Sequence, residues 1–160
     1  MVSLKFYNFT HFPQLNYSLD EIQKQFTAEV PFALQRIASR NLTGDFQSKP
    51  ITIFNGETAV GFFVLDFGVD KVELTANPNS VLLRSLSLNP NFQGKGIGKA
   101  AMNLIPKFIR KYFPATAEIV LAVNENNLSA FNLYLKCGYR FGGKTRMGRS
   151  GMQLVMYRYV

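Results

Sequence analysis

The sequence predicts a single α/β domain in which helices pack on a mixed β-sheet. Three observations predict this fold class: a hairpin signal near the middle of the chain, two strand-then-helix units after it, and an apolar strand at the C-terminus. This order is typical of a mixed sheet with helices on its surface. A length of 160 residues suits one domain with one core.

The first part of the chain predicts one strand and two helices. We expect the strand over residues 4–7. Ser18 begins a capping box, which predicts a helix over residues 19–26. Pro31 favours the first turn of a second helix, over residues 31–40. A polar loop over residues 41–50 is expected to lead from this helix to the middle of the chain.

The middle of the chain predicts three strands. The apolar runs 51–54 and 59–67 flank Asn55 and Gly56. Asn-Gly between two such runs is the strongest short signal of a β-hairpin. Residues 81–88 form another apolar run that ends at an Asn-Pro pair, and we expect it to be a strand.

The next part predicts a long helix and a strand. Apolar residues recur at helical spacing from Ile97 to Tyr112. Pro106 lies inside this pattern, and a proline there either kinks the helix or ends it early. Residues 119–123 are rich in β-branched side chains, so they predict a strand.

The C-terminal part predicts a short helix, a loop and a final strand. Asn126 or Asn127 is expected to cap the helix, and Gly138 to end it. Residues 142–151 are expected to be a loop, and residues 152–159 predict the last strand.

Composition excludes several classes of protein. Hydrophobic residues make up 47% of the chain and aromatic residues 14%, which disfavours a disordered chain. No apolar run reaches the roughly 18 residues of a membrane helix, and residues 1–16 lack the pattern of a signal peptide. We therefore expect a cytoplasmic protein.

The net charge of +8 suits nucleic acid, an anionic membrane or a phosphorylated ligand, but solubility explains it equally well.

Cysteine and histidine usage predicts no metal site. Cys137 is the only cysteine, which excludes an internal disulfide and a cysteine-based metal cluster. His11 is the only histidine, so it has no partner of its own kind to complete a metal site. Cys137 is expected near a helix C-terminus, which does not lower the pKa of a thiol.

A glycine-rich turn over residues 93–99 joins a predicted strand to a predicted helix. Its glycines allow the main chain to approach a ligand closely. The exposed N–H groups and the positive end of the helix favour a bound phosphate. Lys95 and Lys99 add charge of the matching sign. A tight turn without a ligand is the alternative interpretation.

Two familiar phosphate motifs fit this turn poorly. A Walker loop requires a glycine where Gln93 stands and a hydroxyl residue where Ala100 stands. A dinucleotide fingerprint matches residues 96–101, and Glu118 follows about 20 residues later, as that motif requires. However, Glu118 is expected to open the next strand, whereas a ribose-binding acid closes it. The remaining chain is also too short for two mononucleotide-binding halves.

A third motif fits better. Residues 93–98 match Gln-x-x-Gly-x-Gly, and residues 127–139 spell Asn-Leu-Ser-Ala-Phe-Asn-Leu-Tyr-Leu-Lys-Cys-Gly-Tyr. Leu-Ser-Leu-Asn-Pro precedes them at residues 86–90. These segments, in this order and at this separation, resemble the acetyl-coenzyme A core of the GNAT superfamily of N-acetyltransferases. The resemblance is clear over residues 51–159 and weak over residues 1–50.

The resemblance implies how the fold is organised. It implies one domain over residues 1–160, with a mostly antiparallel sheet that splays between two parallel strands and has helices on both faces. The acetyl-CoA core would be residues 82–139, and residues 1–50 would form a variable region on the acceptor side. The sheet would open between residues 86–88 and 119–123, where the pantetheine arm would pair like an added strand.

The resemblance also implies site residues. The positions expected to contact acetyl-CoA are Leu86, Leu88, Gln93, Gly94, Lys95, Gly96, Ile97, Gly98, Lys99, Asn127, Ala130, Tyr134 and Lys136. The N–H of Leu88 would stabilise the oxyanion. Tyr134 would be the general acid for the leaving thiolate, because a tyrosine of ordinary pKa, about 10, stays protonated at pH 7. The alternative role is core packing for Leu86 and Leu88, helix capping for Asn127 and aromatic packing for Tyr134.

We therefore expect an acetyl-CoA-dependent N-acetyltransferase that acts directly on a primary amine of a small molecule or peptide. The alternative is a non-catalytic module of the same fold that binds CoA or RNA. Neither a membrane nor a nucleic-acid partner is expected, and the final strands are compatible with a homodimer. No residue is assigned as general base. Lys144, Arg146 and Arg149 disfavour a polycationic acceptor, unless Asp66, Asp70 or Glu73 lines the cleft.

Overall fold

Seven strands form one mixed sheet in the computed structural model, which describes residues 1–160. The strands are β1 (Val2–Phe6), β2 (Ser48–Asn55), β3 (Thr58–Asp66), β4 (Ser80–Leu88), β5 (Glu118–Asn124), β6 (Arg140–Gly148) and β7 (Gly151–Tyr159). Their order across the sheet is β1-β2-β3-β4-β5-β7-β6. Only β4 and β5 pair in parallel, and all other neighbours are antiparallel.

Helices cover both faces of the sheet. They are α1 (Phe12–Leu15), α2 (Glu21–Phe26), α3 (Val30–Leu42), α4 (Ile97–Tyr112) and α5 (Leu128–Lys136). Short 3₁₀ turns lie at Phe9–His11, Val69–Glu73 and Pro90–Phe92. The predicted fold class is confirmed. No helix combines the length and the apolar character needed to cross a membrane.

The two faces of β3 belong to two separate apolar cores. Phe63 and Leu65 pack in the larger core, which contains the buried face of α4. Phe62 and Val64 point the other way and pack in a core with residues of α1 and α3. Because side chains alternate along a strand and both faces are covered, β3 is apolar throughout its centre.

The parallel pair of strands is short. Residues 80–82 of β4 pair with residues 118–120 of β5, and no pairing follows. The register between β3 and β4 shifts between Phe62 and Val64. Opposite this shift, Ser85 has a φ of 58° and is the one non-glycine residue with positive φ. Such a bulge increases the local twist of a strand, so the rest of β4 diverges from β5.

Most predicted elements are confirmed, and Pro106 does not end the long helix. It is buried within α4, which continues to Tyr112. The hairpin turn also lies where it was predicted, with Gly56 at a φ of 63°.

Apart from small shifts at the ends of elements, three features differ from the expectation. Asp20, rather than Ser18, caps α2, because its carboxylate accepts hydrogen bonds from the N–H groups of Ile22 and Gln23. The expected loop over residues 41–50 is shorter, since α3 runs to Leu42 and β2 begins at Ser48.

The third difference is the expected loop over residues 142–151, most of which belongs to strand β6. This strand pairs with β7 at the edge of the sheet. Most of its side chains are exposed, so the sequence has no apolar alternation that would have predicted it.

Gly61 provides a test of the packing between β3 and β4. A Cβ added there would lie 2.5 Å from Leu88 Cδ2 and 2.8 Å from the carbonyl oxygen of Ser87. Since the main chain cannot yield, we expect Gly61→Ala to lower the free energy of unfolding by about 1–3 kcal/mol in urea denaturation. In the control Gly142→Ala, the nearest atom is a Tyr157 ring carbon at 3.3 Å, and we expect a much smaller loss. Equal losses would contradict this packing.

Candidate active site

A groove of about 440 Å³ lies at the open end of the sheet. The glycine turn, the end of β4, helix α2 and the start of α5 line it. The predicted cofactor residues on its walls are Leu86, Leu88, Gln93, Gly94, Gly96, Ile97, Gly98, Lys99, Asn127 and Ala130. The groove continues into a gap of about 120 Å³ between β4 and β5, and Tyr134 lines that gap. The structure therefore brings most of the predicted site residues together.

The glycine turn requires glycine for conformational reasons. Gly94 and Gly96 have φ values of 72° and 78°, which side chains other than glycine rarely adopt. A Cβ at either position would meet no atom within 4 Å, so the turn faces open space. Gly96 caps α4 without a side-chain hydrogen bond. The first N–H groups of α4 therefore have no side-chain acceptor at the cap, an arrangement that suits an anion.

The main chain of β4 directs hydrogen-bonding groups into the gap. The N–H of Asn89 donates to the carbonyl oxygen of Val60 on the β3 side, at 2.8 Å. The N–H of Leu88 points the other way and donates to Gln23 Oε1 at 3.3 Å. Because alternate residues of a strand face the same edge, we expect the N–H of Leu86 to face the gap as well.

Gln23 covers the predicted oxyanion donor. Its amide accepts the N–H of Leu88 and donates through Nε2 to the carbonyl oxygen of Leu88 at 3.1 Å. Gln93 Nε2 approaches the same oxygen at 3.4 Å. The side chain of Gln23 thus takes the place that a paired strand would have. Sequence reasoning missed this residue, because it is 65 positions from Leu88 and no local motif marks it.

Helix α5 positions Tyr134. Asn127 caps this helix, and its Oδ1 accepts the N–H of Ala130 at 3.3 Å. Tyr134 lies about two turns further along, and its ring lies 5.8 Å from the ring of Tyr139. Burial raises the pKa of Tyr134 to about 12, and the nearby Cys137 adds to this effect. Its hydroxyl therefore stays protonated at neutral pH.

Comparison with known proteins identifies the family. The model of the acetyltransferase (GNAT) family matches residues 16–139. The chain belongs to the GNAT family. It is 36% identical to the uncharacterized N-acetyltransferase YbbJ of Bacillus subtilis (strain 168), over 99% of this chain and 98% of that one. It is 27% identical to the spermine/spermidine N(1)-acetyltransferase of the same strain, over 60% of this chain and 62% of that one.

Solved structures of GNAT enzymes share the fold. Aminoglycoside acetyltransferase AAC(6')-Ib, in complex with coenzyme A and kanamycin, superposes with a TM-score of 0.77 at 17% identity, over 99% of this chain and 95% of that one. The ribosomal-protein-S18-alanine N-acetyltransferase from Escherichia coli superposes with a TM-score of 0.66 at 15% identity, over 100% of this chain and 94% of that one. Identities this low show a common fold alone.

Two of the predicted cofactor residues of the GNAT motifs line neither the groove nor the gap. Lys95 is exposed and lies over the Phe92 ring, 5.3 Å from its centroid. Lys136 is the last residue of α5, at the opposite end from Asn127, and is exposed.

Carboxylates do not reach the gap of this GNAT fold. Asp66 is almost fully buried and accepts from Arg40 at 3.3 Å and from Arg84 at 3.2 Å. Asp70 pairs with the same two arginines, each at 2.8 Å, and these hydrogen bonds hold the pKa of Asp70 below its usual value. Glu73 is largely exposed, 3.6 Å from Arg146. No Asp or Glu lines the gap, so none is placed there as a general base.

The structure disfavours a nucleophilic role for Cys137 and a ribose-binding role for Glu118. Cys137 is buried at the end of α5, and burial raises the pKa of its thiol, which disfavours a nucleophilic relay. Glu118 opens β5 and accepts a hydrogen bond from Thr75 Oγ1 at 2.7 Å. It therefore lies where β4 and β5 still pair, away from the gap, which argues against a dinucleotide site.

The cap of α5 can be tested without changing its helix interior. Asn127→Ala removes the side-chain acceptor for the N–H of Ala130, so we expect the free energy of unfolding to fall by about 1 kcal/mol in urea denaturation. Asn127→Asp keeps an acceptor at the cap and serves as the matched control, with a much smaller expected loss. A loss as large for Asn127→Asp as for Asn127→Ala would contradict the capping role.

Proposed function

We propose that this GNAT protein transfers the acetyl group of acetyl-CoA directly to a primary amine of a small molecule or peptide. The observation that carries the proposal is the continuous passage from the glycine turn, along the edge of β4, to Tyr134 in the gap. Acetyl-CoA has the same order of parts, with its pyrophosphate, pantetheine arm and thioester arranged in line.

The pyrophosphate would bind at the glycine turn. The turn offers N–H groups at Gly94, Gly96 and Gly98, at the positive end of α4, and Lys99 lies on the first turn of that helix. Lys95 and Lys136 are exposed and outside the groove, so they would contribute only longer-range attraction. Kanamycin-bound AAC(6')-Ib also contains coenzyme A, which supports CoA as the ligand of this fold.

The pantetheine arm would pair with β4 in the manner of an added strand. Leu88 directs its main-chain groups into the gap, and the alternation of the strand predicts the same for Leu86. For the N–H of Leu88 to reach the thioester oxygen, Gln23 must first release it. We infer that cofactor binding displaces the Gln23 side chain, after which the N–H of Leu88 stabilises the oxyanion.

Acetyl transfer requires attack by the amine on the thioester and a proton for the leaving thiolate. The amine nitrogen would attack the thioester carbon and form the C–N bond, which gives a tetrahedral oxyanion, and its collapse would break the C–S bond. Tyr134 would donate its hydroxyl proton to the leaving sulfur, and solvent would then reprotonate it. The proton lost by the amine would leave through water, because no carboxylate lines the gap.

Tyr134→Phe tests the general acid. We expect kcat to fall about 100-fold, measured as thiol release from acetyl-CoA, while the Kd of acetyl-CoA changes less than about twofold. Because burial raises the pKa of Tyr134 to about 12, the acid form persists at lower pH and is lost only as the pH rises through that value. The ratio of the two rates should therefore stay constant between about pH 6 and pH 10.

Two results would contradict this role. Equal turnover by the two proteins would remove Tyr134 as the acid, and a ratio that already falls as the pH approaches 10 would mean that the pKa of Tyr134 is not raised. Phe131→Leu, a change of an aromatic residue on the same helix but outside the gap, is the control for loss of packing.

The same assay separates an enzyme from a non-catalytic CoA-binding module. It requires a panel of amines that includes spermidine, kanamycin, amino acids and a peptide N-terminus. Binding of acetyl-CoA without turnover of any amine would favour the module.

A homodimer through the final strands is a further proposal, supported by the position of β6 at the edge of the sheet.

A further inference from the structure

A second cleft, of about 320 Å³, adjoins the gap. The cofactor groove follows residues 86–88 of β4, whereas this cleft follows residues 82–85. The cleft and the gap share Arg84, Ser85 and Asn124 among their lining residues. A molecule in the second cleft would therefore meet the thioester from the side opposite the pyrophosphate, which is the acceptor side.

Four arginines line this cleft, which we call the arginine cleft. They come from four different parts of the fold, namely Arg36 from α3, Arg84 from β4, Arg146 from β6 and Arg149 from the turn after β6. No Asp, Glu or Lys is among its lining residues. The charge of the wall is therefore of one sign.

Two of these arginines already have acidic partners. Arg84 bonds to Asp70 at 2.8 Å and to Asp66 at 3.2 Å. Arg146 lies 3.6 Å from Glu73 and donates to Gln153 Oε1 at 2.8 Å. These pairs hold the guanidinium groups in place and neutralise much of their charge.

The other two arginines of the cleft, Arg36 and Arg149, have no acidic partner. Neither Arg36 nor Arg149 has a carboxylate within 4.0 Å or a side-chain hydrogen bond. Partial burial lowers the pKa of Arg36, and the nearby Arg84, Arg40 and Arg149 lower it further, while Asp70 opposes part of this effect. The arginine cleft is thus crowded with positive charge, and its acidic neighbours are bonded to Arg84 and Arg146 rather than to Arg36 or Arg149.

We propose, on the basis of the acetyl transfer proposed above, that the acceptor is a small amine that also carries a carboxylate or a phosphate. Arg36 and Arg149 bind the acidic group, and the amine extends into the gap. Guanidinium groups bind carboxylates and phosphates through paired hydrogen bonds of matching geometry. The volume of the cleft suits a small molecule.

The proposal separates this chain from relatives named for cationic substrates. A polyamine or an aminoglycoside would place several positive charges against the arginine cleft, and like charges at close range oppose binding. Asp66 and Asp70 offset the charge of Arg84, but they do not line the cleft, so Arg36 and Arg149 would still face a cationic substrate without an acidic partner.

The first experiment compares acceptors that differ only in the acidic group. Phosphoethanolamine is paired with ethanolamine, and β-alanine with its amide, in the thiol-release assay with saturating acetyl-CoA. We expect the acidic member of at least one pair to have a kcat/KM about tenfold or more above its neutral partner, and above spermidine and kanamycin. The pair with the larger ratio tells whether phosphate or carboxylate is preferred. The preference should weaken with added salt.

The second experiment removes the unpaired charges. We expect Arg36→Gln and Arg149→Gln each to lower kcat/KM for the preferred acidic acceptor about tenfold, while the value for its neutral partner and the Kd of acetyl-CoA stay nearly constant. Arg110→Gln, an exposed arginine on α4 outside the arginine cleft, is the matched control and should change neither value.

The outcomes distinguish the two proposals. If neutral or cationic amines are acetylated faster than acidic ones, or if the arginine variants slow both members of a pair equally, the acidic acceptor is wrong although the acetyl transfer is right. If acetyl-CoA binds and no amine of either kind is acetylated, the transfer is wrong and the acceptor proposal is wrong with it.

Discussion

The end of pairing between β4 and β5 is the constraint on which the rest of the structure depends. These strands share three paired positions and then separate, while β4 keeps its partner β3 on the other side. Ser85 allows this by adopting a positive φ, which costs about 1 kcal/mol for a residue other than glycine. The large cores on both faces of the sheet hold the strands around this strained residue.

Separation of the strands leaves main-chain groups that need partners. A buried N–H without an acceptor is costly, and Gln23 meets this need by bonding to both main-chain groups of Leu88. The open edge is thus covered by one side chain on a short helix rather than by a strand. A ligand with amide groups of its own can replace that side chain without leaving any group unpaired. The same opening exposes the arginine cleft to the thioester position, so one break in the sheet creates both halves of the proposed site.

The sequence predicted the local structural features on which the proposed site rests. The glycine turn needs positive φ at Gly94 and Gly96, and the helix that carries Tyr134 needs a cap at Asn127, and both requirements are visible within a few residues. Contacts between distant segments were not predictable in this way. Gln23 meets Leu88 across 65 positions, and Arg36 joins Arg149 only because α3 and the β6–β7 turn approach the same cleft. Strand β6 was missed because an exposed edge strand needs no apolar pattern.

Amide hydrogen exchange by NMR, with and without coenzyme A, tests most directly whether the opening of the sheet holds the cofactor. We expect coenzyme A to slow exchange at the amides of Leu86 and Leu88, where the pantetheine arm would pair with β4, and at those of Gly94, Gly96 and Gly98. Unchanged exchange at Leu86 and Leu88, with protection only at other positions, would contradict it.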